Sequence, residues 1–87
     1  MLTKERSHVL YELFFDLVVR CGLSPMEAIS YGLTRVMGFS PMDASEIINE
    51  IMGKSVTNSQ VSVYLQRGLV KMTVEDMIFI KRKYQSC

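Results

Sequence analysis

Apolar residues recur three and four positions apart along almost the whole chain of 87 residues, and no stretch alternates apolar with polar residues for long. This is the period of an α-helix and not that of a β-strand. The spacing predicts a first helix of about residues 4–21, with an apolar stripe of Val9, Leu10, Leu13, Phe14, Leu17, Val18 and Cys21. We therefore expect an all-α protein of four to five short helices in a single domain, residues 1–87.

Two predicted helix starts share one sequence signature. Ser24-Pro25-Met26-Glu27 combines a serine N-cap, a proline at the first helical position and a glutamate that completes a capping box. Ser40-Pro41-Met42-Asp43 repeats that order. We interpret the echo as one capping solution used twice, because it is too short for a solenoid repeat. The glycines expected to end the first three helices are Gly22, Gly38 and Gly53.

Threonine caps predict the last two helices. Thr57 and Gln60 form a capping box that starts a fourth helix of about residues 58–71. Thr73 caps a final helix of about residues 73–85, which ends in the basic run Lys81-Arg82-Lys83. Cations in the last turn also suit the dipole of a helix.

The first helix carries a second apolar row beside its main stripe, made of Tyr11, Phe15 and Val19. A helix this apolar is usually central or covered by another element. Three arrangements would bury the row: a wholly intramolecular core, cover by the last helix, or cover by a second copy of the chain. The row is thus a candidate dimer seam, and a dimer would double the surface available to a partner.

Charge is unevenly distributed along the chain although its net value is only +1. Residues 1–53 contain four basic and seven acidic side chains, whereas residues 54–87 contain six basic and two acidic ones. The small total excludes a uniformly basic coat for nucleic acid. The local excess indicates an anionic partner for the C-terminal portion.

The two cysteines, Cys21 and Cys87, are too few for a disulfide framework. No charged-then-apolar signal segment opens the chain, and no apolar run approaches the roughly 18 residues of a membrane span. We expect a soluble cytoplasmic protein with reduced thiols and no membrane partner.

Catalytic and metal signatures are weak. Gly53-Lys54-Ser55 resembles the end of a phosphate-binding loop, but that motif needs a glycine at position 48 and a preceding strand, and the chain has Ile48 there. His8 is the only histidine, which leaves too few ligands for an ordinary metal site. We expect no enzyme activity, no metal, no cofactor and no small-molecule substrate.

Residues 41–72 have the order of a helix-turn-helix unit: helix, glycine, short polar turn and capped helix. The segment ASEIINEIMGKSVTNSQVSVYLQRGLVKM resembles the trihelical helix-turn-helix of sigma-factor region 4 and related small transcriptional regulators. The turn is about two residues longer than in that family, and Asn49 stands where a small residue is usual. The matching positions are Ile47, Ile48, Ile51, Gly53, Val61, Leu65 and Leu69.

The resemblance implies a sequence-specific DNA-binding regulator whose helix 58–71 enters the major groove of double-stranded DNA. Amide and guanidinium side chains can bond base edges, and a valine can contact a thymine methyl group. The candidates for base edges are Asn58, Ser59, Gln60, Ser62, Val63, Gln66 and Arg67. The candidates for phosphates are Lys54, Ser55, Thr57 and Lys71.

Acidic residues set a condition on this hypothesis. The preceding helix carries Asp43, Glu46 and Glu50, which must point away from DNA. The alternative hypothesis is a small helical protein–protein interaction module without DNA binding, which would use the Tyr11, Phe15 and Val19 row or a methionine-rich surface. A solvated polar helix face would then account for residues 58–71.

Overall fold

A computed structural model describes residues 2–85 and confirms the all-α prediction, with 79% of the described residues in helices. Residues 2–85 contain five helices and no strand. The first two helices each end in a π-helical turn, Asp16–Arg20 and Gly32–Val36. The helices are α1 (Lys4–Phe15), α2 (Pro25–Tyr31), α3 (Pro41–Met52), α4 (Asn58–Lys71) and α5 (Val74–Tyr84).

Local capping fixes the helix starts at the predicted residues. In three capping boxes the N-cap hydroxyl accepts a hydrogen bond from the backbone amide three residues on, whose side chain accepts one from the N-cap amide. Ser40 caps α3 through its hydroxyl alone. The boxes pair Ser24 with Glu27, Thr57 with Gln60, and Thr73 with Asp76.

The repeated sequence signature corresponds to a repeated connection. Gly22 and Gly38 adopt left-handed backbone conformations, with φ of 75° and 82°, directly after the two π-helical turns. The backbone amides of Leu23 and Phe39 then donate to carbonyls inside the preceding turn, at 3.1 and 2.9 Å. One way of ending a helix is thus used twice, whereas the predicted repeat of the start is wrong in part, because Ser24 forms a capping box and Ser40 does not.

The central element is α2, because every residue from 27 to 33 is buried. On one side it packs against α1, where a Cβ on Gly32 would lie only 3.1 Å from Leu13 Cδ2. This close crossing explains the glycine inside the helix. Another side of α2 packs against α4, which also contacts α3. Helices α2, α3 and α4 therefore pack together, and α1 packs on α2 and lies beside α3.

Helix α5 packs against a charged strip on α1 and its π-helical turn, made of Glu12, Asp16 and Arg20. The Asp16 carboxylate accepts hydrogen bonds from the Tyr84 hydroxyl and, at 3.0 Å, from the Lys83 ammonium. The Arg20 guanidinium lies 3.8 Å from the centroid of the Phe79 ring. Burial raises the pKa of Asp16, but the hydrogen bonds from Tyr84 and Lys83 outweigh it and hold the pKa below its ordinary value.

The second apolar row of α1 stays outside this docking surface. Tyr11, Phe15 and Val19 are 65%, 63% and 65% exposed. Cover by the last helix is therefore wrong, and so is a wholly intramolecular core within residues 2–85. The physical reason is that α5 pairs its own polar residues with the neighbouring charged strip and not with the row.

No helix within residues 2–85 combines the length and the apolar character needed to cross a membrane.

Candidate nucleic-acid interface

Asn49 closes the turn between α3 and α4. The helix α3 ends at Gly53, whose φ of 62° is left-handed. The Asn49 side-chain amide donates to the Val56 carbonyl at 3.0 Å, and its oxygen accepts from the Val56 amide at 2.7 Å. Asn49 therefore ties Val56 in the turn to the last part of α3 through two hydrogen bonds. Sequence reasoning had no signal for this pairing.

Asn49→Ala should lower the free energy of unfolding by about 1–3 kcal/mol, because two hydrogen bonds to partly buried backbone groups are lost. Urea denaturation measures the effect. Glu50→Ala, at the exposed neighbouring position, should change stability by no more than about 0.5 kcal/mol. Equal stabilities of the two variants would contradict the closing role of Asn49.

The register of α4 divides the helix into a buried face and an outward face. Val61, Leu65 and Gly68 are buried, as is Met72 just beyond the helix. A Cβ on Gly68 would lie 3.2 Å from Leu23 Cδ2, so α4 approaches α2 closely at this point. The outward residues are all exposed, namely Ser59, Ser62, Val63, Gln66, Arg67 and Val70.

Three of the predicted contact residues hold the start of α4. The Gln60 side-chain oxygen accepts from the Thr57 amide at 2.9 Å, and the Thr57 hydroxyl accepts from the Gln60 amide at 3.2 Å. The Ser62 hydroxyl donates to the Asn58 carbonyl at 3.2 Å. These side chains are exposed, but they already make hydrogen bonds within the chain.

Four other polar or charged candidates project from the helix, and their side chains make no hydrogen bond within residues 2–85. Asn58, Ser59 and Gln66 are exposed, and so is Arg67, whose guanidinium lies 5.8 Å from the centroid of the Tyr64 ring. A planar cation resting on an aromatic ring is partly ordered before it meets a ligand. The outward face thus offers amide, hydroxyl and guanidinium groups along one side of α4.

The phosphate candidates separate into two groups. Lys54 and Ser55 are exposed in the turn that precedes α4. Lys71 instead turns toward α2, where its ammonium lies 2.7 Å from Oε1 of the buried Glu27. Its position indicates a structural ion pair, so we do not retain Lys71 among the phosphate contacts.

Glu27 links α2 to α4, whereas the sequence indicated only its role as a capping residue. Its carboxylate accepts from the Lys71 ammonium and, at 2.9 Å, from the Ser24 amide. Burial raises the pKa of Glu27, but the hydrogen bonds from Lys71 and Ser24 outweigh it and hold the pKa below its ordinary value. The pair ties the C-terminal end of α4 to α2, beside the close approach at Gly68.

One acidic side chain of α3, Glu50, lies toward α1. Glu50 lines a cavity of about 230 Å³ between α1 and α3, together with Tyr11 and Ile51. Asp43 and Glu46 lie on the same face of α3 as Glu50, because the three residues follow one another at spacings of three and four. No acidic residue occurs from position 54 to 74. The outward face of α4 therefore carries no negative side chain.

Metal and thiol chemistry have little support here. Among the residues that the structure describes, no group of three or more His, Cys, Asp and Glu side chains is placed to hold a metal ion. Burial and the nearby Asp76 raise the pKa of the Cys21 thiol to about 11, which keeps it protonated and weakly nucleophilic. Cys87 lies outside the described residues.

Comparison with known proteins adds no relative: the chain matches no protein-family model, no curated protein and no solved structure. The candidate interface therefore depends on its own geometry.

Proposed function

We propose that this protein is a cytoplasmic transcriptional regulator that binds double-stranded DNA in a sequence-specific manner, with α4 in the major groove. The observation that carries the proposal is the outward face of α4. That face is exposed, has no acidic side chain and presents the side chains of Asn58, Ser59, Gln66 and Arg67, which make no hydrogen bond within residues 2–85.

Each side chain has a base-edge role that its chemistry supports. Arg67 can donate two hydrogen bonds to guanine, Gln66 and Asn58 can each pair with adenine, and Val63 can contact the thymine methyl group. Residues near the start of a recognition helix ordinarily reach the bases. Asn58, Ser59 and Val63 lie in the first two turns of α4. Gln60 and Ser62 instead stabilise the start of that helix and contribute to base recognition indirectly.

Phosphate contacts would come from the turn. Lys54 and Ser55 precede α4 and are exposed, and the free amides at a helix N-terminus favour an anion. Thr57 caps that N-terminus and thereby fixes where those amides point. A net charge of +1 implies modest affinity for a single copy.

Binding to a random-sequence duplex should weaken steeply with salt, since phosphate contacts release counterions. Lys54 is the cationic phosphate contact of the turn and Arg67 adds a second positive charge to the interface, so the logarithm of the association constant should fall with the logarithm of salt concentration at a slope of about −1 to −2. Fluorescence anisotropy measures this slope.

Lys54→Ala is the matched variant for the salt experiment and should reduce the slope by about 1. Arg35→Ala removes the same charge from an exposed position on α2's π-helical turn and should leave the slope unchanged. Binding that does not respond to salt would contradict the proposal.

A protein-interaction module is a second candidate function, because Tyr11, Phe15 and Val19 are about two-thirds exposed. Association through this row would be largely indifferent to salt, because it removes apolar surface from water. The same titration therefore separates the two functions.

A further inference from the structure

Tyr11, Phe15 and Val19 form an apolar row that no other helix of residues 2–85 covers. Tyr11, Phe15 and Val19 follow one another at four-residue intervals and span about 12 Å along the helix. Beside Tyr11 the apolar surface continues into a cavity of about 150 Å³ between α1 and α3, lined in part by Phe14, Ile29 and Ile51. Aligned apolar side chains of this kind mark an interaction site.

The charges beside the row constrain what can cover it. Glu12 and Arg20 lie on the same flank, toward α5, and both are exposed. They differ in sign and are separated by eight residues, with Phe15 and Val19 of the row between them in sequence. A surface with that pattern is complementary to itself when a second copy runs in the opposite direction.

We propose that two copies of this chain pair through α1, antiparallel, about a twofold axis at Phe15. In this arrangement Tyr11 lies opposite Val19 of the second copy, and Phe15 lies against its own symmetry mate. Glu12 comes beside Arg20 of the second copy, at nearly the same height along the helix axis. The two contacts recur by symmetry, as in an isologous dimer.

The alternative direction is disfavoured by the same charges. In a parallel pair the twofold axis runs along the helices, so the flanks of the two copies lie on opposite sides of the seam. Glu12 then has no Arg20 of the second copy beside it. Antiparallel pairing buries the apolar row and also brings Glu12 beside Arg20 of the second copy.

Pairing through this row leaves the outward face of α4 accessible to DNA. Helix α2 separates α1 from α4, and the seam uses no residue of α4. The inference therefore goes beyond the proposed function and does not depend on it. Because the molecular mass is measured without DNA, failure of the dimer and failure of DNA binding are distinguishable.

Sedimentation equilibrium of the full chain tests the seam. We expect a dimer of the 10.0-kDa chain at about 100 μM, and we expect Phe15→Glu to raise the dimer dissociation constant at least 100-fold, since it buries two like charges on the axis. Tyr11→Glu is a second variant of the row. Val74→Glu, at a residue that is 73% exposed on α5, is the control and should remain dimeric. Circular dichroism verifies that each variant is helical.

Charge reversal tests the direction. Glu12→Arg and Arg20→Glu should each weaken the dimer about tenfold, and the double variant should regain most of the loss. The double variant does not restore the contacts of Glu12 with Lys83 or of Arg20 with Phe79, so recovery reports on the seam alone. A monomeric wild type, a dimeric Phe15→Glu variant or a double variant without recovery would overturn the proposal.

Discussion

Arg67→Ala and Gln66→Ala should each reduce the preference for a selected DNA site by about 10- to 100-fold. The reason is that a bidentate contact with a base edge supplies about 1–3 kcal/mol of discrimination, and each 1.4 kcal/mol is a tenfold change in affinity. Both side chains are exposed on the outward face of α4. The measurement is the ratio of affinities for the selected duplex and for a random duplex.

The control for this experiment is Arg35→Ala, which removes one cation from an exposed position outside α4. It should leave the ratio unchanged. Thermal unfolding should be the same for all three variants within about 0.5 kcal/mol, since surface substitutions of this kind are nearly neutral. If neither Arg67→Ala nor Gln66→Ala alters the ratio, the assignment of the recognition face is wrong.

Lys71→Ala should lower the free energy of unfolding at neutral pH by about 1–3 kcal/mol. The substitution leaves the buried Glu27 carboxylate with the Ser24 amide but without its cation. Removing one partner of a fully buried pair costs about 3–5 kcal/mol, and the half-exposed position of Lys71 reduces that cost. Lys81→Ala, on the exposed surface of α5, is the control and should be nearly neutral.

The effect of Lys71→Ala should depend on pH with a defined sign. The pKa of Glu27 is lower in the folded protein than its ordinary value of 4.5. A carboxyl group with a lowered pKa stabilises the fold above its unfolded pKa and loses that contribution as pH falls through the folded pKa. The stability difference between wild type and Lys71→Ala should therefore shrink below about pH 4.5. Asp16 shifts in the same direction but is common to both proteins. A difference that is constant from pH 7 to pH 3 would contradict this role.

Helix boundaries could be predicted from the sequence because capping is local. Thr57 and Gln60 are three residues apart, and their hydrogen bonds need nothing beyond the first turn of α4. The outward face of α4 was equally accessible, because burial of Val61 and Leu65 fixes its rotation through the helical period. Gly32, at the start of the π-helical turn that ends α2, lies where Leu13 of α1 packs closely against it.

Contacts between distant residues could not be predicted in this way. Lys71 meets Glu27 across 44 positions, and a basic residue near an exposed helix end looks the same in sequence whether it meets phosphate or a buried carboxylate. The docking of α5 through Lys83 and Asp16 spans 67 positions. Periodicity describes one helix at a time and does not specify which neighbour it meets. The apolar row of α1 was therefore visible in the sequence, whereas its exposure was not.

Selection of bound duplexes from a random DNA pool tests the central claim most directly. The account predicts that the wild-type chain enriches one short motif, and that a variant carrying both Arg67→Ala and Gln66→Ala enriches none. A wild-type chain that retains DNA without enriching any motif, or that retains no DNA at low salt, would contradict it.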